Sequence, residues 1–155
     1  MKLKNREKTT QLVIHCSATK PDMMIGAKEI TAWHKDRGWL TNGYHYVINR
    51  SARLELGRQE DAIGAGARGN NLESVHICMV GGVDAELKPD DNFTVSQYTT
   101  LRNVLILLRS RYPETTIYGH YELDNKKACP SFDVDRFLDV IDMTKEPTKT
   151  TNYLT

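Results

Sequence analysis

The chain has 155 residues, enough for one domain with a sizeable core, and its 39% apolar and 26% charged residues are ordinary for a soluble globular protein. Lysine plus arginine (21) nearly balance aspartate plus glutamate (20), which argues against a nucleic-acid binder or a protein drawn to acidic membranes. No segment approaches the ~18 consecutive apolar residues of a membrane span, and the start lacks the apolar run of a secretory signal, so cytoplasmic synthesis is expected.

The first eight residues are basic and poor in apolar side chains, and are expected to form a solvated tail, with a protein-docking arm as the alternative. A polar, frayed end is expected over 145–155, leaving one domain at 9–144. Three cysteines cannot all pair within one chain, which fits a reducing compartment and a thiolate used as a ligand. Cys16 and Cys78 lie in apolar runs and are expected to be buried.

Residues 11–16 (Gln-Leu-Val-Ile-His-Cys) predict a buried strand whose alternation sends Val13 and His15 to one face and Ile14 and Cys16 to the other. Over 27–37, Ile30, Trp33 and His34 recur at helical spacing, and Gly38 follows where a left-handed cap would sit. Aromatic and β-branched residues predict a strand over 44–50 and a hairpin partner over 53–57, although Ser51-Ala52 is not a preferred turn pair. Glycines at 64, 66 and 69 mark a loop that can approach other groups closely, without a phosphate-loop pattern. Residues 75–80 predict another buried strand. Residues 95–112 form the strongest helical pattern, with a Thr94/Gln97 capping box, apolar Leu101, Val104, Leu105 and Leu108, and Pro113 as a stop. A short strand over 115–120 and a helix from about 131, with Phe132, Val134, Phe137, Leu138 and Ile141 as its apolar face, close the domain. Strands mixed with helices predict an α/β fold, a single domain with a central mixed sheet flanked by helices.

His15 and His120 both fall at the carboxyl ends of predicted strands, where loops on a rigid sheet carry binding residues. Cys129 follows His120 by nine residues, close enough for a loop to return a thiolate to the same strand end. Two imidazoles and one thiolate would make a zinc site with an open fourth position, the arrangement of catalytic rather than structural zinc. Such a site keeps net positive charge, so it can acidify water and polarise an amide carbonyl. Spacing alone leaves a second reading open, in which the three residues are unrelated. A His15–Cys16 nucleophile pair conflicts with strand alternation.

Several motifs occur in order over about residues 11–140: Ile14-His15-Cys16-Ser17-Ala18-Thr19-Lys20-Pro21, Trp39-Leu40, Gly43-Tyr44-His45-Tyr46, Val80-Gly81-Gly82, Asn92-Phe93-Thr94 and Lys127-Ala128-Cys129-Pro130-Ser131-Phe132-Asp133. Together they resemble the T7-type phage lysozymes, zinc N-acetylmuramoyl-L-alanine amidases related to the peptidoglycan recognition proteins. The resemblance implies zinc ligands His15, His120 and Cys129, with Tyr44 and Lys127 as catalytic helpers. It implies hydrolysis of the amide between N-acetylmuramic acid and L-alanine in peptidoglycan, in the manner of an endolysin that reaches the wall after release. A recognition module that binds peptidoglycan without cleaving it is the alternative. A monomer is expected, without nucleic-acid or membrane partners. A regulatory partner is supported by the basic N-terminal tail alone.

By residue type alone, Tyr44 would be a core strand tyrosine and Lys127 a surface lysine; only the motifs single them out. Glu122 is expected to be solvated, with orientation of a ligand as its alternative, and His34, His45 and His76 are expected to serve packing or surface. Two departures stand out: the phage enzymes often carry a histidine where this chain has Gly66, and the His120–Cys129 segment is one residue longer here.

Overall fold

The computed structural model describes residues 2–147. Five strands, β1 (Gln11–Cys16), β2 (Tyr46–Ile48), β3 (Leu54–Leu56), β4 (Ser74–Met79) and β5 (Thr116–Gly119), form one sheet in the order β3-β2-β4-β1-β5. β1 runs parallel to both β4 and β5, β2 runs parallel to β4, and β3 closes the edge as an antiparallel hairpin partner of β2. The helices are α1 (Ala27–Asp36), α2 (Val95–Arg111), α3 (His120–Leu123) and α4 (Val134–Val140). This is the expected mixed α/β architecture. Because the long strands point the same way, their carboxyl ends gather on one side of the sheet, where such folds place their ligands.

Alternation along the strands divides the interior. Leu12, Ile14 and Cys16 of β1 join Val75, Ile77 and Met79 of β4 in a core with Leu101, Val104, Leu105 and Leu108 of α2 and Val134, Phe137 and Leu138 of α4. Each fully buried leucine of this kind contributes roughly 1.5–3 kcal/mol. Val47 and Cys78 pack instead with Ala27 and Ile30 of α1. Helix α2 begins as its capping box predicts: Thr94 Oγ1 accepts the Gln97 N–H at 3.0 Å, and Gln97 Oε1 accepts the Thr94 N–H at 3.1 Å. Gln97 is also fully buried and receives the Arg50 guanidinium at 2.9 Å while donating to the Val80 carbonyl at 3.0 Å. That one side chain ties α2 to the ends of β2 and β4.

Several boundaries differ from expectation. The strand expected over 44–50 shrinks to Tyr46–Ile48: the Tyr44 N–H turns back to Asn42 Oδ1 at 2.9 Å instead of bonding to a neighbouring strand. The hairpin does not depend on Ser51-Ala52 as a preferred pair. Asn49 Oδ1 accepts the N–H groups of Ser51 and Arg53, each at 3.0 Å, and Ala52 takes the positive φ of 64°. Trp33, expected on the apolar face of α1, is 38% exposed; Trp39 takes the place against His34, ring centroids 4.4 Å apart. The last helix starts at Val134 because Ser131 stands at φ 72° and Asp133 accepts the Arg136 N–H at 3.1 Å.

Neither flank behaves as a free tail where it is described. Lys4 and Arg6 make backbone bonds to Ile63 and Asp61, both 2.7 Å, and Arg6 Nη1 donates to the Glu60 and Ala62 carbonyls. Lys145 accepts the Ile117 N–H at 3.0 Å and pairs with Glu122 at 2.6 Å and Asp135 at 2.8 Å. Most of the expected C-terminal tail, 148–155, lies outside the described residues.

Candidate metal centre

The parallel register pairs Ile14 with Gly119, so the next residue on each chain, His15 and His120, arrives side by side as the sheet ends. His15 is fully buried at the carboxyl end of β1, and His120 opens α3, half-buried. Their Nδ1 atoms lie 3.2 Å apart. The loop after α3 then turns back, held by the Lys127 N–H on the Asp124 carbonyl at 3.0 Å and the Tyr121 N–H on the Cys129 carbonyl at 2.9 Å. This sets Cys129 Sγ 3.8 Å from His15 Nδ1. The Cys16 N–H also donates to that sulfur at 3.1 Å.

The three donor atoms all lie within 4.8 Å of one another and form a group able to hold a metal ion. A tetrahedral zinc with its usual bond lengths would separate two nitrogens by about 3.3 Å and a nitrogen from a sulfur by about 3.6 Å. The two separations from His15 Nδ1, 3.2 Å to His120 Nδ1 and 3.8 Å to Cys129 Sγ, lie near those values. Electrostatics agree with a neutral donor set. Burial, with the neighbouring His76 and His120, holds His15 well below the usual histidine range; burial and the Lys127 charge lower His120. The adjacent Cys16 thiol and burial raise the Cys129 thiol, whereas the Cys16 N–H favours its thiolate. A cation between the donors would tip that balance to the thiolate.

Tyr44 lies over the site, its ring centroid 4.9 Å from that of His15. Its approach is set by the turn before β2, where the Gly43 N–H donates to His34 Nδ1 at 2.8 Å. A side chain at Gly43 would meet the Ala65 carbonyl at 2.6 Å, so glycine permits the 63–67 loop to close on this turn. Burial pushes the Tyr44 phenol well above its ordinary value, keeping it a proton donor. Lys127 is exposed, yet its charge reaches His120.

Glu122 is exposed, as expected, and its carboxylate accepts the Gly119 N–H at 2.7 Å, capping α3, and pairs with Lys145. His34 and His45 serve packing, as expected. His76 does more than pack, since its Nδ1 lies 2.8 Å from His15 Nε2. The available signal was one histidine inside an otherwise apolar strand, together with a glycine at 66.

The family described as N-acetylmuramoyl-L-alanine amidase matches residues 5–132. The chain belongs to this amidase family. It is 47% identical over 133 residues to the endolysin of Enterobacteria phage K11, covering 86% of this chain and 87% of that protein. It is 44% identical over 137 residues to the endolysin of Escherichia phage T7, covering 88% and 90%. In structure it resembles the amidase LysC of Clostridium intestinale, with a TM-score of 0.79 and 24% identity over 93% of this chain and 92% of that one. The amidase fold is thus matched along nearly the whole chain. Among the described residues, no helix of this amidase is long and apolar enough to cross a membrane.

Proposed function

We propose that the chain is a zinc-dependent N-acetylmuramoyl-L-alanine amidase that cleaves the amide joining N-acetylmuramic acid to L-alanine in peptidoglycan, acting as a monomer on the cell wall after release. The observation that carries this reading is the convergence of His15, His120 and Cys129, whose donor atoms all lie within 4.8 Å of one another, with His15 Nδ1 3.2 Å from His120 Nδ1 and 3.8 Å from Cys129 Sγ. When bound there, zinc supplies a Lewis acid for the amide carbonyl and brings the pKa of an attacking water towards ~7. As the carbonyl carbon becomes tetrahedral its oxygen gains negative charge, which the neutral Tyr44 hydroxyl meets with a hydrogen bond. The Lys127 ammonium, on the exposed rim, offsets the same charge. The water oxygen bonds to the carbonyl carbon, the C–N bond breaks, and a proton from that water passes to the alanine nitrogen, leaving a carboxylate on the lactyl group and a free amino terminus on the peptide.

Purified cell walls test this directly. Turbidity should fall and N-terminal alanine should appear, and both should stop with a chelator or in Cys129→Ala. Cleavage that persists without metal would overturn the proposal. Zinc binding without any release of alanine would instead make the chain a recognition module.

A further inference from the structure

We propose that His76 is a positioning residue of the metal centre, its Nδ1 accepting the His15 Nε2–H so that His15 is held in the one tautomer able to ligate through Nδ1. The inference rests on the zinc reading above and adds a residue that the family motifs do not contain. The two nitrogens are 2.8 Å apart, and both residues are fully buried. Only one of the two possible proton placements leaves the His15 Nδ1 lone pair facing His120 and Cys129. If His76 donated instead, the His15 proton would sit on Nδ1, between the donors, and block them.

Strand register brings the pair together. β1 and β4 pair Val13 with His76, so His76 and His15 project from the same face of neighbouring strands. The His76 backbone N–H donates to His45 Nδ1 at 2.9 Å, and the two rings stack with planes 3° apart. His45 Nε2 is in turn placed 2.7 Å from the Ala62 carbonyl, which Arg6 also contacts. Gly66 makes room for the arrangement: a Cβ there would fall 2.6 Å from His76 Nδ1 and 3.0 Å from His15 Nε2, inside the hydrogen bond itself. The loop is fixed in that position by Asn71, whose Oδ1 accepts the Gly66 and Ala67 N–H groups, each at 3.0 Å. Where the phage enzymes often carry a histidine in the loop, this chain supplies an imidazole from the strand and leaves the loop bare.

A packing role alone explains His76 poorly. Among the described residues its Nε2 is the one buried side-chain nitrogen or oxygen without a hydrogen-bond partner. An apolar residue would fill the strand position without that burden, so the useful atom is Nδ1. Metal-ligating histidines generally need such a partner on the second ring nitrogen, and losing it costs about 10–100-fold in metal affinity.

The test compares zinc affinity, by competition with a chromophoric chelator, in the wild-type chain, His76→Leu, His76→Asn and Gly66→Ala, alongside the visible spectrum of each cobalt-substituted protein. His76→Leu should bind zinc about 10–100-fold more weakly with a changed cobalt spectrum, while the metal-free protein melts no lower. His76→Asn, which places an acceptor oxygen near the Nδ1 position, should recover most of the loss. Gly66→Ala should weaken zinc by wedging the two rings apart, and it decides the matter should His76→Leu fail to fold. Wild-type affinity in both His76→Leu and Gly66→Ala, or equal loss in the leucine and asparagine variants, would overturn the inference. A wild-type chain that binds no zinc would overturn the zinc reading instead.

Discussion

His15 and His120 stand side by side because each is the residue that follows the last pair of two parallel strands, Ile14 opposite Gly119. The β1–β5 pairing thus delivers both imidazoles to one place, with their Nδ1 atoms 3.2 Å apart. Cys129 is the member of the set delivered by a loop, and the Cys16 N–H holds it. Metal should consequently stabilise the folded chain. Zinc at 100 times its dissociation constant is expected to add about 2.7 kcal/mol to the unfolding free energy. Denaturant titrations with and without zinc should show that increment, and Cys129→Ala should abolish it.

Removing the Tyr44 hydroxyl tests a donor without disturbing the ligands. Tyr44→Phe keeps the ring against His15 and should retain zinc in full, while the turnover of wall substrate falls about 10²–10³-fold. Zinc content together with the rate of alanine release measures both. A loss of metal in this variant would mean that the tyrosine acts through packing.

Lys127 faces solvent, so its contribution should be smaller and screened by salt. Lys127→Met is expected to slow release by roughly 10-fold at low ionic strength, where the unscreened charge is worth about 1 kcal/mol or more. The gap from wild type should narrow as salt is raised. Lys126→Met, tested in parallel, should change the rate little.

Acid should destabilise the metal-free protein through its buried imidazoles. His34 Nδ1 accepts the Gly43 N–H and His45 Nδ1 accepts the His76 N–H, so both are neutral in the fold, and burial lowers each pKa to about 4. The unfolded value is about 6.5, so between these limits the unfolded chain binds the extra protons. Stability is then complete above pH ~6.5 and falls as the pH drops towards 4. Urea titrations in chelator across that window should show the slope. His34→Asn, which keeps an acceptor near Gly43, should make it shallower.

Gln97 offers the sharpest test of the fold. Gln97→Leu would fill similar space while leaving the Arg50 guanidinium, the Thr94 N–H and the Val80 carbonyl without this partner. Thr94 is exposed and Arg50 keeps the Asn92 carbonyl as an acceptor, so the stranded buried group is the Val80 carbonyl, and chemical denaturation should register a loss of about 1–3 kcal/mol.

What could be read from the chain alone was set by periodicity and capping chemistry. The apolar run within Gln11–Cys16 marks a buried strand and emerges as β1 with the same bounds, and Thr94 with Gln97 announces α2. The shortening of β2 was hidden because it depends on Asn42 reaching back to Tyr44, a side-chain contact that no hydrophobic pattern reports. The four-residue α3 is too short for periodicity to detect and rests on Glu122 capping Gly119. Placement at strand ends raised His15, His120 and Cys129 as a zinc set, and the motifs added Tyr44 and Lys127. His76 escaped because its meaning depends on which residue of β1 lies opposite it, and register is a property of the sheet. The basic start misled for a related reason: Arg6 is anchored by main-chain carbonyls at 60 and 62, which residue composition does not reveal.

The two-faced alternation of β1 gives anyone wishing to harden this protein against heat a layer to work in. Leu101, Leu105 and Leu108 of α2 and Leu138 of α4 meet Leu12 and Ile14 on the side of the sheet away from His15 and His76. Volume-conserving changes there are well tolerated in most cores. Thermal tolerance and wall chemistry can thus be tuned separately along a single strand, with Cys16 left untouched because its main chain holds Cys129.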